Sequence, residues 1–113
     1  MKKALEECWV WYKDTCLQNQ AIYIIKNVNT SYYKIGISKN IHRRLRQLEL
    51  QSGCKLQLTD WYLLDTNNPL KAKDIEQKLH SKYKKFNVIG EWFNLENNID
   101  DLLNDFITLC DNY

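Results

Sequence analysis

The sequence predicts an α+β domain in which a three-stranded antiparallel β-sheet is flanked by helices. Two apolar runs, at residues 21–26 and 32–38, are joined by the polar segment 27–31, a pattern that is typical of a β-hairpin. A third extended run covers residues 55–65, and four other segments have apolar residues at helical spacing. A chain of 113 residues with 44% hydrophobic residues is expected to form one domain around one modest core.

The first half of the chain is predicted to begin with a helix that precedes the hairpin. Residues 1–20 are assigned to this N-terminal helix because apolar residues recur at helical spacing within residues 2–18. Gly36 interrupts the second hairpin strand, and a glycine within a strand often marks the close approach of a ligand or another backbone. Residues 39–52 then follow a helical period, and this helix is expected to end near Gly53.

The second half is predicted to alternate extended and helical segments, which gives the overall order αββαβαβα. Asn68 and Pro69 fit an N-cap followed by proline at the first helical position, and the helix is expected to continue to about residue 85. Residues 91–95 form a short extended segment, which is either a fourth strand or a strap. Residues 96–113 are predicted to contain an acidic C-terminal helix.

Charge is segregated along the chain although the net charge is only +2. No acidic residue occurs from 15 to 48, whereas residues 86–113 contain six acidic residues and no Lys or Arg. A basic middle with an acidic end is typical of a nucleic-acid-binding surface with a neutral back, and the basic residues of 26–46 and 71–85 are expected to share one face. Solvated helix faces are the alternative interpretation.

The composition argues against several classes of protein. No apolar stretch approaches the ~20 residues that span a bilayer, and the two N-terminal lysines are followed by two glutamates, which makes a poor secretory signal. The four cysteines are scattered without the spacing of a zinc site. We therefore expect no membrane partner, no organic cofactor and a cytoplasmic location, or a nuclear one if the protein is eukaryotic or viral.

Five short motifs occur in order at regular spacings between residues 21 and 95. AIY at 21–23 is followed by KIG at 34–36, and Arg44 stands eight residues after the glycine. IEQKLHSKY at 75–83 and GEWFNL at 90–95 follow. Together these motifs resemble the GIY-YIG endonuclease superfamily, and the last two are similar to the A-x-x-I-E-x-x-L-H helix and the G-E-W-F segment of its small phage-type branch. Five features in order at compatible spacings make the resemblance specific, although each tripeptide alone is a weak motif.

The resemblance covers residues 21–95 of a single domain, 1–113, and implies a metal-dependent endonuclease that hydrolyses DNA phosphodiester bonds. It assigns Tyr23 to orienting or deprotonating the attacking water, and Arg44 to binding the scissile phosphate. Glu76 is implied to hold one divalent ion, Mg²⁺ or Mn²⁺. The chemistry independently needs such groups, because hydrolysis requires a nucleophilic water, a cation for the developing charge and assistance for the leaving oxygen.

Further residues are assigned supporting roles. Lys34 stands where the second motif normally has tyrosine, and we expect it to supply the nearby cation that a phenol, with a usual pKa of about 10, needs to act as a base near neutral pH. General phosphate contacts are predicted for Arg43, Arg46 and Lys39. The residues expected beside the site are Gly36, which keeps the backbone close, His80, which shares a helix face with Glu76, and Asn94.

Three departures from the family pattern bear on activity. Ala21 replaces the first glycine, Lys34 replaces a tyrosine, and Leu48 stands where several relatives have histidine. The alternatives are therefore a catalytically inactive nucleic-acid-binding module on the same fold, or a protein-interaction domain that uses the acidic C-terminal helix. DNA is the expected partner of an active enzyme, and a homodimer would favour a double-strand break because one site cuts one strand at a time.

Overall fold

The structure is a computed structural model that describes residues 21–63 and 70–111. The elements in these ranges are β1 (Ala21–Asn27), β2 (Tyr32–Ser38), α1 (Ile41–Ser52), β3 (Leu56–Leu63), α2 (Leu70–Lys82), a 3₁₀ turn (Lys84–Phe86), β4 (Asn87–Ile89), β5 (Trp92–Asn94) and α3 (Ile99–Asp111). The predicted helix of 1–20 and the predicted helix start at Asn68 and Pro69 lie outside the described residues. Among the described helices, none has the length and apolar character needed to cross a membrane.

The sheet of the described chain has five strands in the order β3-β1-β2-β5-β4, with every neighbouring pair antiparallel. The fold is α+β, but the prediction of a three-stranded sheet is wrong. The additional strands are β4 and β5, each three residues long, which form a hairpin around Gly90 at φ +53°. Runs of three residues are too short for alternation to reveal, so this part was predicted only as one extended segment, 91–95.

The sheet separates two hydrophobic clusters. Because side chains alternate along a strand, β1 directs Ile22 and Ile24 to one face and Tyr23 and Ile25 to the other. The first face packs against α2 and α3 through Ile75, Leu79, Leu102, Phe106 and Cys110. The opposite face packs against α1 and contains Ile41, Leu45, Leu56 and Trp61. Tyr23 therefore lies on the α1 side of the sheet.

Helix α1 has a defined start, a defined end and one buried face. The Asn40 side chain caps the N terminus by accepting a hydrogen bond from the backbone N–H of Arg43 at 3.0 Å. Gly53 ends the helix in a left-handed conformation, φ +67°, as predicted for that position. Ile41 and Leu45 are buried against the sheet, and Arg43 and Arg46 are exposed on the sides of the helix that face away from it. Arg44, three residues after Ile41, is exposed at the edge of the buried face.

The sheet divides the basic residues that were expected to share one face. Lys26 extends over the ring of Tyr33, with its Nζ 5.8 Å from the ring centroid, on the side of α2 and α3. Lys34 lies on the α1 side, since it is one residue out of phase with Tyr33. On α2, Lys82 forms an ion pair of 2.8 Å with Asp105 of α3. The acidic helix thus neutralises part of the α2 surface, while the arginines of α1 remain exposed on the opposite side.

Candidate active site

Tyr23 is fully buried in β1, and β2 leaves space for its ring at Gly36. The two residues are register partners across the antiparallel hairpin. A Cβ atom at position 36 would lie 2.5 Å from the Tyr23 hydroxyl oxygen and 2.7 Å from its Cζ, which is closer than real Cβ atoms approach other atoms. Gly36 therefore allows the phenol to lie across β2, so the group that closely approaches this glycine is a side chain and not the ligand or backbone that was expected.

Helix α1 brings Arg44 to the hydroxyl of Tyr23, and the two side chains are hydrogen-bonded. Because a guanidinium has only donors, Arg44 donates and the phenol oxygen accepts. The O–H of Tyr23 is then left to donate to a third group, such as a water or a phosphate oxygen. Arg44 lies in the first turn of α1, where its backbone N–H bonds to the Asn40 carbonyl at 3.0 Å, so the cap of the helix also fixes the base of this side chain.

Lys34 is buried on the same side of β2 as Gly36, but its partners differ from those expected. Its Nζ lies 2.7 Å from Oε1 of Glu91 and 5.9 Å from the centroid of the Trp92 ring. The cation that lowers the pKa of Tyr23 is Arg44. The structure thus pairs Lys34 with a carboxylate and gives Arg44 the position beside the phenol that was expected of Lys34.

The edge of β2 is the place where groups from both sides of the sheet approach each other. Strand β5 pairs with Tyr32–Lys34 of β2, and the Glu91 carbonyl accepts a hydrogen bond from the Ile35 N–H at 3.3 Å. Within residues 21–63 and 70–111, no strand lies beside β2 on this side after that bond. Helix α2 packs against β2 there, so its side chains reach the edge from the opposite face.

Helix α2 contributes Glu76 and His80, which lie one turn apart on the same helix face. The Nε2 atom of His80 is 2.9 Å from the carbonyl oxygen of Ile35. Because a carbonyl only accepts, Nε2 carries the proton, and Nδ1 is the acceptor of the neutral ring. The ring also packs beside Phe93, at 5.2 Å between centroids, so its orientation is fixed on two sides.

Glu76, His80 and Glu91 place their ligand atoms within 4.8 Å of one another. Burial and the charge of Glu91 raise the pKa of Glu76, while the charges of His80, Lys34 and Lys73 lower it, and the net shift is upward. Two carboxylates that disfavour each other's charge are stabilised by a divalent cation. Mg²⁺ and Mn²⁺ both prefer carboxylate oxygen, and imidazole suits transition metals, so the two carboxylates fit either ion and the imidazole favours Mn²⁺.

The same carboxylates act on Tyr23. Burial raises the pKa of Tyr23, the hydrogen bond and charge of Arg44 lower it, and the charges of Glu91 and Glu76 raise it again. The net pKa lies above the usual value of a tyrosine, so the phenol is neutral near pH 7. Tyr23, Arg44, Glu76 and Glu91 therefore lie close enough to interact through their charges, although they come from four different segments.

The other sequence-predicted site residues lie at two places. Lys39, Arg43 and Arg46 are exposed at and around the start of α1. Asn94 pairs with Tyr32 at the opposite end of β2 from Gly36, and its Oδ1 accepts a hydrogen bond of 2.6 Å from Ser31. Asn94 thus fastens the turn between β1 and β2, and the structure does not bring it to the carboxylate cluster.

Glu91 is the site residue that sequence reasoning missed. It lies within the GEWF segment, which was used only as a family motif. The available signal was an acidic residue directly before Trp92, in a segment with no other charge from 87 to 95. Its significance depends on the register that sets Trp92 opposite Lys34, because that pairing brings the ammonium and the carboxylate together.

Comparison with protein families identifies the region that contains this site. The T5orf172 domain model matches residues 20–107, which is most of the chain and includes every site residue named above. This domain is found in phage and in some nucleases of the GIY-YIG-like or HNH-like type. Searches among curated proteins and among solved structures gave no match.

Proposed function

We propose that this chain, which belongs to the T5orf172 domain family, is a divalent-metal-dependent endonuclease that hydrolyses DNA phosphodiester bonds in the manner of the GIY-YIG enzymes. The observation that carries the proposal is the hydrogen bond between Arg44 and the buried hydroxyl of Tyr23, on which Glu76 and Glu91 also act. Packing alone does not require this arrangement, because a buried tyrosine is satisfied by one neutral partner and adjacent carboxylates are unfavourable.

The substrate in this proposal lies across the α1 side of the sheet. Three exposed arginines of α1 face solvent there, and Arg44 among them also reaches the site. Arginine stays charged and can bind two phosphate oxygens at once, which suits a DNA backbone. On the opposite side, the ion pair of Lys82 with Asp105 reduces the attraction for phosphate. Arg43, Arg46 and Lys39 are therefore proposed as contacts with flanking phosphates.

In the proposed reaction, Arg44 holds the scissile phosphate with the N–H groups that Tyr23 does not use. Tyr23 positions the attacking water through its hydroxyl. Neutralising Glu76 and Glu91 would remove two of the causes that raise the pKa of Tyr23, so that Arg44 would oppose only the effect of burial and the phenolate would become more accessible. Once the phenol has lost its own proton to solvent, the Tyr23 phenolate takes a proton from the water as the water attacks phosphorus. The P–O bond to the leaving oxygen breaks, and that oxygen takes a proton from solvent.

Glu76 is proposed to hold the metal, because carboxylate oxygen is a ligand that Mg²⁺ and Mn²⁺ prefer. A divalent cation held by Glu76 would supply positive charge for the phosphate and would assist departure of the leaving oxygen. Gly36 supports the site indirectly, since it leaves the space in which the phenol lies. Lys34 is the remaining buried cation of the site and stabilises negative charge on Glu91.

The proposal is tested by nicking of supercoiled plasmid in Mg²⁺ or Mn²⁺. We expect the wild-type chain to nick the plasmid, and Glu76→Gln to be slower by about 10² or more, as is typical when a group that stabilises transition-state charge is removed. Glu96→Gln is the matched control, because this glutamate is exposed in the segment after β5. The control should keep wild-type activity.

The other outcomes separate the alternative functions. Equal nicking by wild type and Glu76→Gln would contradict the proposed site. No nicking, together with DNA affinity that falls steeply as salt is raised, would instead support an inactive nucleic-acid-binding module. No measurable DNA affinity at any salt concentration would point to a protein-interaction domain.

A further inference from the structure

We infer that Glu91 and His80 complete the cation site of Glu76, and that the ammonium of Lys34 occupies Glu91 until a divalent cation displaces it. The inference rests on the proposed function and adds two ligands and an order of events to it. The metal would thus replace the Lys34 ammonium as the partner of the Glu91 carboxylate. The site would change from a Lys34–Glu91 ion pair to a cation held by Glu76, Glu91 and His80.

The first support is the environment of Glu76. Its side chain is only 8% exposed, and it has no hydrogen bond or ion pair with any residue in the described ranges. A carboxylate in this position is costly unless a cation or hydrogen-bond donor satisfies it. Its ligand oxygen lies within 4.8 Å of ligand atoms of both His80 and Glu91. Neighbouring ligands of an octahedral Mg²⁺ lie about 3 Å apart, so small side-chain rotations are enough to close the site.

The second support is the tautomer of His80. The backbone carbonyl of Ile35 holds the proton on Nε2, at 2.9 Å, which leaves the Nδ1 lone pair as the free position of the ring. A backbone carbonyl that fixes the other ring nitrogen is the usual support of a metal-binding histidine. The i, i+4 spacing on α2 places this ring on the same face as Glu76.

The third support is the position of Lys34. Lys34 is 7% exposed as a residue, and its ammonium lies 2.7 Å from Glu91, so it supplies positive charge to the carboxylate pair. A divalent cation bound by Glu91 would repel it strongly. The Trp92 ring, 5.9 Å from Nζ, offers a neighbouring cation–π position to which the ammonium can shift. Loading of the site would therefore release Lys34 on the face that also carries Gly36 and Tyr23.

The test is Mn²⁺ binding by the full chain, measured by isothermal titration calorimetry without DNA. We expect Glu91→Gln and Glu76→Gln each to weaken Mn²⁺ binding by at least about tenfold, a change typical for groups that hold or support a metal. Lys34→Met should tighten it by at least about tenfold because the competitor is removed. Lys73→Met is the matched control, since Lys73 acts on Glu76 through charge alone and is exposed to solvent. Screening should limit that change to about threefold or less.

A second measurement keeps the inference falsifiable if a variant fails to fold. Electron spin-echo spectroscopy of Mn²⁺ bound to the wild-type chain should show coupling to one imidazole nitrogen, and this coupling should disappear in His80→Gln. Absence of the coupling in the wild type would overturn the role of His80. Unchanged affinity in Glu91→Gln, or equal effects of Lys34→Met and Lys73→Met, would overturn the exchange.

The inference and the proposed function can fail separately. A chain that nicks DNA while Glu91→Gln binds Mn²⁺ like the wild type would overturn the inference and leave the nuclease standing. A chain that binds Mn²⁺ through Glu76, Glu91 and His80 but nicks no DNA in any metal would overturn the proposed nuclease activity and leave the cation site standing.

Discussion

Substitution of Gly36 by alanine should displace the phenol on which the candidate site is built. The new Cβ would meet the Tyr23 hydroxyl oxygen at 2.5 Å and Cζ at 2.7 Å. The ring is fully buried within the α1-side cluster and has little room to yield. It can relieve the clash only by giving up its hydrogen bond with Arg44, so Gly36→Ala couples a packing cost to loss of the site geometry.

The expected loss of stability follows from three magnitudes. Overpacking in a core costs about 1–3 kcal/mol. A hydrogen bond to a charged group contributes about 1.5–3 kcal/mol, and exposure of Arg44 to solvent reduces that contribution. The cost of overpacking and the cost of losing this bond do not add, because the bond is lost only when the ring moves and so relieves the clash. Alanine recovers about 0.5–1 kcal/mol relative to glycine in a strand because the unfolded chain is more restricted. We therefore expect Gly36→Ala to lower the free energy of unfolding by about 0.5–2 kcal/mol.

The assay is equilibrium unfolding in urea, followed by tryptophan fluorescence, in a double-mutant cycle. In a Tyr23→Phe background the nearest atom is absent, so Gly36→Ala should cost less than it does in the wild type. Tyr33→Phe is the matched background, because Tyr33 lies on the opposite face of the sheet, and there the cost should be unchanged. The reasoning would be refuted by a Gly36→Ala protein as stable as the wild type, or by the same cost in both backgrounds.

Further predictions concern the stability of the chain in acid, its rate of nicking and its affinity for DNA. Burial raises the pKa of Asp105, but the hydrogen bonds from Lys82 and Tyr83 outweigh burial and hold the pKa below its usual value. The stabilisation of the folded chain by ionised Asp105 is therefore present above about pH 4 and is lost as the pH falls through the folded-state pKa. Asp105→Asn should therefore flatten the dependence of the urea midpoint on pH below about pH 4, and an unchanged slope would contradict this. Arg44→Met should slow nicking by about 10²–10³ at every pH. Arg46→Met should mainly reduce the slope of log DNA affinity against log salt concentration, by the amount that about one phosphate contact contributes. Equal effects of the two variants on nicking would argue against a special role for Arg44.

The elements that the sequence predicted well are those with a long period or a distinct terminal residue. The hairpin has two seven-residue strands separated by a polar turn, and α1 ends at Gly53, where the backbone adopts a positive φ. Alternation and helical spacing are detectable over such lengths because each repeat adds to the signal. The α+β class follows from these elements, since their order does not depend on the short strands.

The short strands and the contacts across the sheet edge were not predictable in the same way. Each of β4 and β5 has only three residues, and the three residues of β4 are all exposed, so no burial pattern marks them. The ion pair of Lys34 with Glu91 joins residues 57 positions apart, and it depends on the register between β2 and β5. Asn94 was expected beside the site, yet the same register places it at the β1–β2 turn.

The measurement that tests the central claim most directly is metal rescue at a single sulfur-substituted phosphate. A DNA duplex with one phosphorothioate diastereomer at the cleaved linkage is incubated with wild type or Glu76→Gln in Mg²⁺ and in Mn²⁺. If a cation held by Glu76 contacts the scissile phosphate, sulfur should slow wild-type cleavage in Mg²⁺ by about tenfold or more, and the softer Mn²⁺ should restore it. Rescue should be absent in Glu76→Gln. An equal sulfur effect in both metals, or rescue of Glu76→Gln as in the wild type, would contradict the proposed metal site.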